Sequence, residues 1–101
     1  MGARPAVHSA AMRYFLEVAR SGSIAEASAR LNVAASAISR QIARLEAEVG
    51  AALFERRARG MTLSSAGELL AAHARRAHLD SERVLGEIRG LAHLGTGVAT
   101  I

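Results

Sequence analysis

Apolar residues recur with a helical period over most of the chain. Met12, Phe15, Leu16 and Ala19 stand at i, i+3, i+4 and i+7, which places them on one face of a helix predicted over about Ser9–Arg20. Ser21-Gly22 stops this helix, because glycine takes a positive φ without steric cost. Ser23-Ile24-Ala25-Glu26 then has the form of a capping box, with Ser at the N-cap and Glu three residues on, so a second, short helix starts at Ile24. It ends near Leu31, where Asn32 tolerates the left-handed conformation of a C-cap. A third stripe, Ile38, Ile42, Leu45 and Val49, predicts a helix over Ala35–Val49 that Gly50 terminates. The small residues Ala27 and Ala34 are expected to let the second and third helices approach closely. Residues 1–8 mix Gly, Pro and Ala without any period and read as an arm.

The period then changes. Leu53-Phe54-Glu55-Arg56 and Met61-Thr62-Leu63 flank Arg57-Ala58-Arg59-Gly60, two short segments around a glycine-containing turn, which predicts a two-stranded hairpin. Ser64 is placed to cap a last helix over residues 65–93, a stretch without proline that spans about 40 Å at 1.5 Å per residue. Leu94-Gly95-Thr96-Gly97 is expected to break it, leaving residues 94–101 as a hinge and the start of a further domain. So long a helix cannot bury its stripe against so small a body. Leu70, Ala77, Val84 and Leu91 repeat every seven residues with Ala74 and Ile88 between them, so a partner helix is expected, most simply that of a second copy. The predicted class is mainly α: a winged helix-turn-helix of three helices and a hairpin in residues 1–64, followed by a dimerisation helix.

Composition fits this picture and adds a partner. Half of the residues are hydrophobic but only 3% are aromatic, so the core must come from Leu, Ile, Val, Met and Ala in close-packed helices. There is no cysteine, which removes disulfides, thiolate metal sites and cysteine nucleophiles. No apolar run approaches a membrane span and no basic-then-apolar leader opens the chain, so a cytoplasmic protein without a membrane partner is expected. The net charge of +4 comes from arginine alone. Residues 1–64 hold nine arginines against five acids, and residues 65–101 hold four against four, so the excess lies where a phosphate-binding surface would need it.

The third helix turns Ser36, Ser39, Arg40, Ala43 and Arg44 away from its apolar stripe. Arg can chelate the O6 and N7 of guanine or a phosphate, Ser can bond a base edge or a phosphate oxygen, and Ala43 leaves room for close approach in a major groove. A solvated helix face explains such a strip about as well. Arg56, Arg57 and Arg59 on the hairpin favour nucleic acid, since a wing gripping phosphates or the minor groove accounts for their clustering. Neither His8, His73, His78 and His93 nor the serines form a metal-ligating or catalytic constellation, so no cofactor and no enzyme activity is expected. A helical protein–protein module and a nonspecific DNA binder remain as alternatives.

The ordered series Met12-Arg13-Tyr14-Phe15-Leu16-Glu17-Val18-Ala19, Ser21-Gly22-Ser23-Ile24, Leu31-Asn32-Val33, Ala37-Ile38-Ser39-Arg40-Gln41-Ile42, Leu53-Phe54-Glu55-Arg56 and Leu63-Ser64-Ser65-Ala66-Gly67 resembles the N-terminal DNA-binding domain and linker helix of LysR-type transcriptional regulators. The resemblance covers about Ala11–Ile101. It implies a homodimer, or a dimer of dimers, on dyad-symmetric AT-rich double-stranded DNA, with recognition contacts at Ser36, Ser39 and Arg40 and a minor-groove arginine at Arg59. It also implies a co-inducer bound by an effector domain beyond this chain. The sequence departs from the family where Ala34-Ala35 stands for the common Ser-Gln, removing an N-cap hydroxyl and a glutamine able to read adenine.

Overall fold

The computed structural model describes residues 9–98, with helices α1 (Ala10–Ser21), α2 (Ile24–Leu31) and α3 (Ala35–Val49), strands β1 (Phe54–Arg57) and β2 (Gly60–Leu63), and helix α4 (Ser65–Val98). The expected arm and the last three residues of the expected hinge lie outside the described residues.

Serines start three of the four helices. The Ser9, Ser23 and Ser64 hydroxyls accept from the amides of Met12, Glu26 and Gly67 at 3.0–3.1 Å, satisfying donors that a helix start leaves free. α3 differs: Ala34 occupies its N-cap and no side chain bonds its first turn. Gly22, Asn32 and Gly50 close α1, α2 and α3 in the left-handed conformation, as their positions in the sequence required.

The body holds two adjoining cores. Met12 and Phe15 of α1, Leu45 of α3, Leu53 and Ala74 of α4 form one, and Val18, Ala27, Ile38 and Ile42 form the other. Phe54 touches both, its ring tilted against Phe15 with centroids 5.4 Å apart, so the wing is anchored to the helices by its first residue. Ala27 is fully buried between α2 and its neighbours, whereas Ala34 is exposed and takes no part in that approach. Val49, expected on the apolar stripe, is 37% exposed at the end of α3.

Two features of α4 correct the sequence expectation. The helix runs through Leu94-Gly95-Thr96-Gly97 to Val98, because glycine weakens a helix by about 1 kcal/mol per residue without forbidding it, and no proline removes a hydrogen bond there. Its stripe also divides. Ala74, assigned to a dimer seam, is 1% exposed inside the chain's own core, and Leu70 packs against that core, so these two are used within the chain. Ala77 is half-buried at the edge of the body. Beyond it α4 projects alone, and the molecule measures 59 × 32 × 20 Å with a radius of gyration of 17.5 Å, against about 13 Å for a compact chain of this length. No helix among the described residues is long and apolar enough to cross a membrane.

Candidate nucleic-acid interface

α2 and α3 meet through a turn fixed by local bonds. The Ser28 hydroxyl donates to the Val33 carbonyl at 2.6 Å, the Val33 amide returns to the Ser28 carbonyl at 3.2 Å, and Asn32 supplies the left-handed residue (φ 56°). Glu17 of α1 adds a tie to α2, accepting from Ser21 at 2.7 Å and lying 3.8 Å from Arg30. With Ile38, Ile42 and Leu45 turned into the cores, α3 leaves Ser36, Ser39, Arg40, Ala43 and Arg44 exposed, as the strip read from the sequence requires.

The wing is held beside α3 by a backbone contact. The Met61 amide donates to the Gly22 carbonyl at 3.0 Å, and a Cβ at Gly60 would sit 2.6 Å from that oxygen. Glycine at position 60, with φ at 115°, therefore serves both the turn and the close approach of the wing to the α1–α2 junction. Strands β1 and β2 pair antiparallel, with Glu55 opposite Thr62, Arg56 opposite Met61 and Arg57 opposite Gly60, which leaves Ala58 and Arg59 at the tip.

The three wing arginines, all exposed, have different surroundings. Arg57 lies 2.6 Å from the Glu55 carboxylate, and its Nε donates to the Thr62 hydroxyl at 3.3 Å. Arg56 and Arg59, like Arg40 and Arg44 of α3, have no ion-pair partner among the described residues. Between α3 and the wing runs a cleft of about 340 Å³, with Ser39, Ala43 and Glu46 on one wall and Phe54, Arg56 and Met61 on the other. The Glu46 carboxylate is occupied there by the Leu53 amide at 2.9 Å.

Of the residues expected to pair two copies, Val84, Ile88 and Leu91 are exposed, at 37%, 53% and 69%. Leu85 and Leu94 are exposed too and were not among the residues read from the seven-residue repeat, because at 3.6 residues per turn they fall on the two opposite flanks of that stripe. Among the described residues no three His, Asp or Glu side chains gather as a metal ion would require.

A short α2, a turn, and an α3 that presents cations and hydroxyls beside a basic hairpin define a winged helix-turn-helix DNA-binding domain. Residues 9–68 match the bacterial regulatory helix-turn-helix proteins of the lysR family, and the chain belongs to that family. It is 38% identical over 98 residues to the HTH-type transcriptional regulator ClcR of Pseudomonas putida, a match that covers 86% of this chain and 33% of ClcR. It is 44% identical over 78 residues to the HTH-type transcriptional regulator y4mQ of Sinorhizobium fredii (strain NBRC 101917 / NGR234), covering 77% of this chain and 26% of that one. The chain thus spans a third or less of the length of these curated relatives. The crystal structure of the CbnR DNA-binding domain in complex with DNA superimposes with a TM-score of 0.70 at 38% identity, covering 81% of this chain and 94% of that one. The fold is that of a LysR-type DNA-binding domain, and the family to which the chain belongs is one of bacterial regulatory DNA-binding proteins.

Proposed function

We propose that the domain recognises a dyad-symmetric operator as a homodimer, in the cytoplasm and without enzymatic chemistry. α3 enters the major groove, where Ser36, Ser39 and Arg40 meet base edges and Arg44 the backbone, and Arg59 at the wing tip enters the adjacent minor groove. The overhanging part of α4, with Val84, Ile88 and Leu91, pairs the two copies and sets the spacing of half-sites. Leu70 and Ala74 are left out of this seam because the chain's own core uses them.

One observation carries the reading. α3 and the wing line one cleft and carry Arg40, Arg44, Arg56 and Arg59, none with an ion-pair partner among the described residues, on a fold shared with a domain whose structure was solved in complex with DNA. A protein–protein module would need the α4 stripe but not these arginines. In a longer chain the same domain would deliver a regulatory output governed by an effector-binding part.

The test is fluorescence anisotropy of the domain on labelled dyad DNA selected from a random pool, repeated with Ser39→Ala/Arg40→Ala. The selected site is expected to bind far more tightly than scrambled DNA, and the double variant to lose about 1–3 kcal/mol of discrimination per base contact. Equal binding to every sequence by the unaltered domain would leave only a nonspecific binder.

A further inference from the structure

We infer that the cleft between α3 and the wing seats one phosphodiester of the DNA backbone, with Arg56 as its ligand, and that Arg57, on the other face of the strand with its charge offset by Glu55, adds no net phosphate contact. This assignment rests on the DNA-binding reading and divides two adjacent arginines that the sequence treats as equivalent.

The strand itself makes the division. Successive side chains of a β-strand point to opposite faces, so Phe54 and Arg56 share one face of β1 and Glu55 and Arg57 the other. Phe54 turns its face toward the helices, packing on both cores, and Arg56 accordingly lines the cleft opposite Ser39. That cleft offers an unpaired guanidinium and an apolar surface from Ala43 and Met61. These suit a phosphate oxygen and a deoxyribose. Glu46, the acid on its wall, keeps its charge but is tied to the Leu53 amide at 2.9 Å and makes no ion pair with Arg56.

On the opposite face the balance is different. Glu55 and Thr62 face each other across the two strands, and the Arg57 side chain bonds both. Glu55 also lines a cleft with Ser64 and with Glu68 and Leu69 of α4, so the outer side of the wing borders two carboxylates against one guanidinium. A phosphate approaching from that side meets a neutralised cation flanked by acid, while one approaching from the α3 side meets a free one.

The slope of log affinity against log salt counts phosphates neutralised, about 0.9 for each contact with duplex DNA. Titrating the domain, Arg56→Ala, Arg57→Ala and Glu55→Gln on one dyad duplex across salt concentrations tests the assignment. All three positions are exposed, and circular dichroism checks that each variant folds. Arg56→Ala should flatten the slope by about 0.9 per protomer and weaken specific and scrambled DNA alike. Arg57→Ala should leave the slope at the unaltered value. Glu55→Gln, by releasing Arg57, should steepen it by about 0.9 per protomer. Arg57→Ala flattening the slope as much as Arg56→Ala overturns the division, and Glu55→Gln without effect overturns the neutralisation of Arg57. A domain without salt-dependent binding to any duplex overturns the DNA-binding reading and this assignment together, and so is distinct from either.

Discussion

The two halves of α4 are made of much the same residues and do different work. Up to about Ala77 the helix rests on the body, with Ala74 sealed in one core with Met12, Phe15, Leu45 and Leu53, and Leu70 packed against that cluster. Beyond it Val84, Leu85, Ile88, Leu91 and Leu94 continue as exposed apolar surface with nothing of the described chain against them. What separates the halves is where the body ends, since apolar residues recur along both. Stability of the domain therefore belongs to the first half, and association between copies is proposed for the second.

Placing the same charge in each half gives the largest contrast. Ala74→Arg forces a guanidinium into a core with no partner for it, a cost of several kcal/mol against a total stability of about 5–15 kcal/mol. Thermal melts should show the variant largely unfolded or far less stable. Ile88→Arg should leave the melting of the body unchanged and instead convert the proposed dimer to monomer in sedimentation equilibrium. Loss of the fold in Ile88→Arg would erase the distinction between the halves.

Glycine scanning along the same helix sharpens the boundary through a change of sign. A Cβ at Gly67 would meet the Leu53 carbonyl oxygen and the Leu63 side chain, so Gly67→Ala must displace the backbone that leads into the wing. Overpacking of this kind costs about 1–3 kcal/mol, read as a lower urea midpoint. Gly86 and Gly90 have nothing near them and lie two residues either side of Ile88, on the helix face away from it. Alanine there should stabilise the overhang by about 1 kcal/mol per site, seen as slower amide exchange around residues 84–94. A stabilising Gly67→Ala would show that the first half of α4 is not pressed against the body.

The boundary itself was only partly legible in the sequence. The limits of α1, α2 and α3 and the start of α4 were clear because they rest on local chemistry: Ser9, Ser23 and Ser64 cap, and Gly22, Asn32 and Gly50 terminate, whatever surrounds them. The strip Ser36, Ser39, Arg40, Arg44 was clear for the same reason, being the complement of a buried face. Ala74 was not, because an alanine at a seam position looks alike whether it meets a second copy or the chain's own Phe15. The different fates of Arg56 and Arg57 were hidden too, since they turn on which face of a four-residue strand meets the helices.

The smallest contrast is between the ion pairs of the two regions. On the overhang, Arg83 bridges Asp80 at 2.9 Å and Glu87 at 2.7 Å, but all three side chains are more than half exposed, so each pair is worth no more than a few tenths of a kcal/mol. In the body, Glu17 is 13% exposed. The Ser21 hydroxyl, followed by the Arg20 and Arg30 guanidiniums, holds its carboxyl below the ordinary value near 4.5, with burial opposing them. A carboxylate whose pKa is lowered by folding stabilises the native state above its ordinary pKa and loses that contribution as the pH falls through the lowered value. Glu17→Gln should therefore melt below the unaltered domain at pH 7, with the difference shrinking as the pH drops under about 4.5. Arg83→Ala should change the melting of the body little at pH 7. A Glu17→Gln deficit that persists undiminished in acid would mean that shape rather than charge at this position joins α1 to α2.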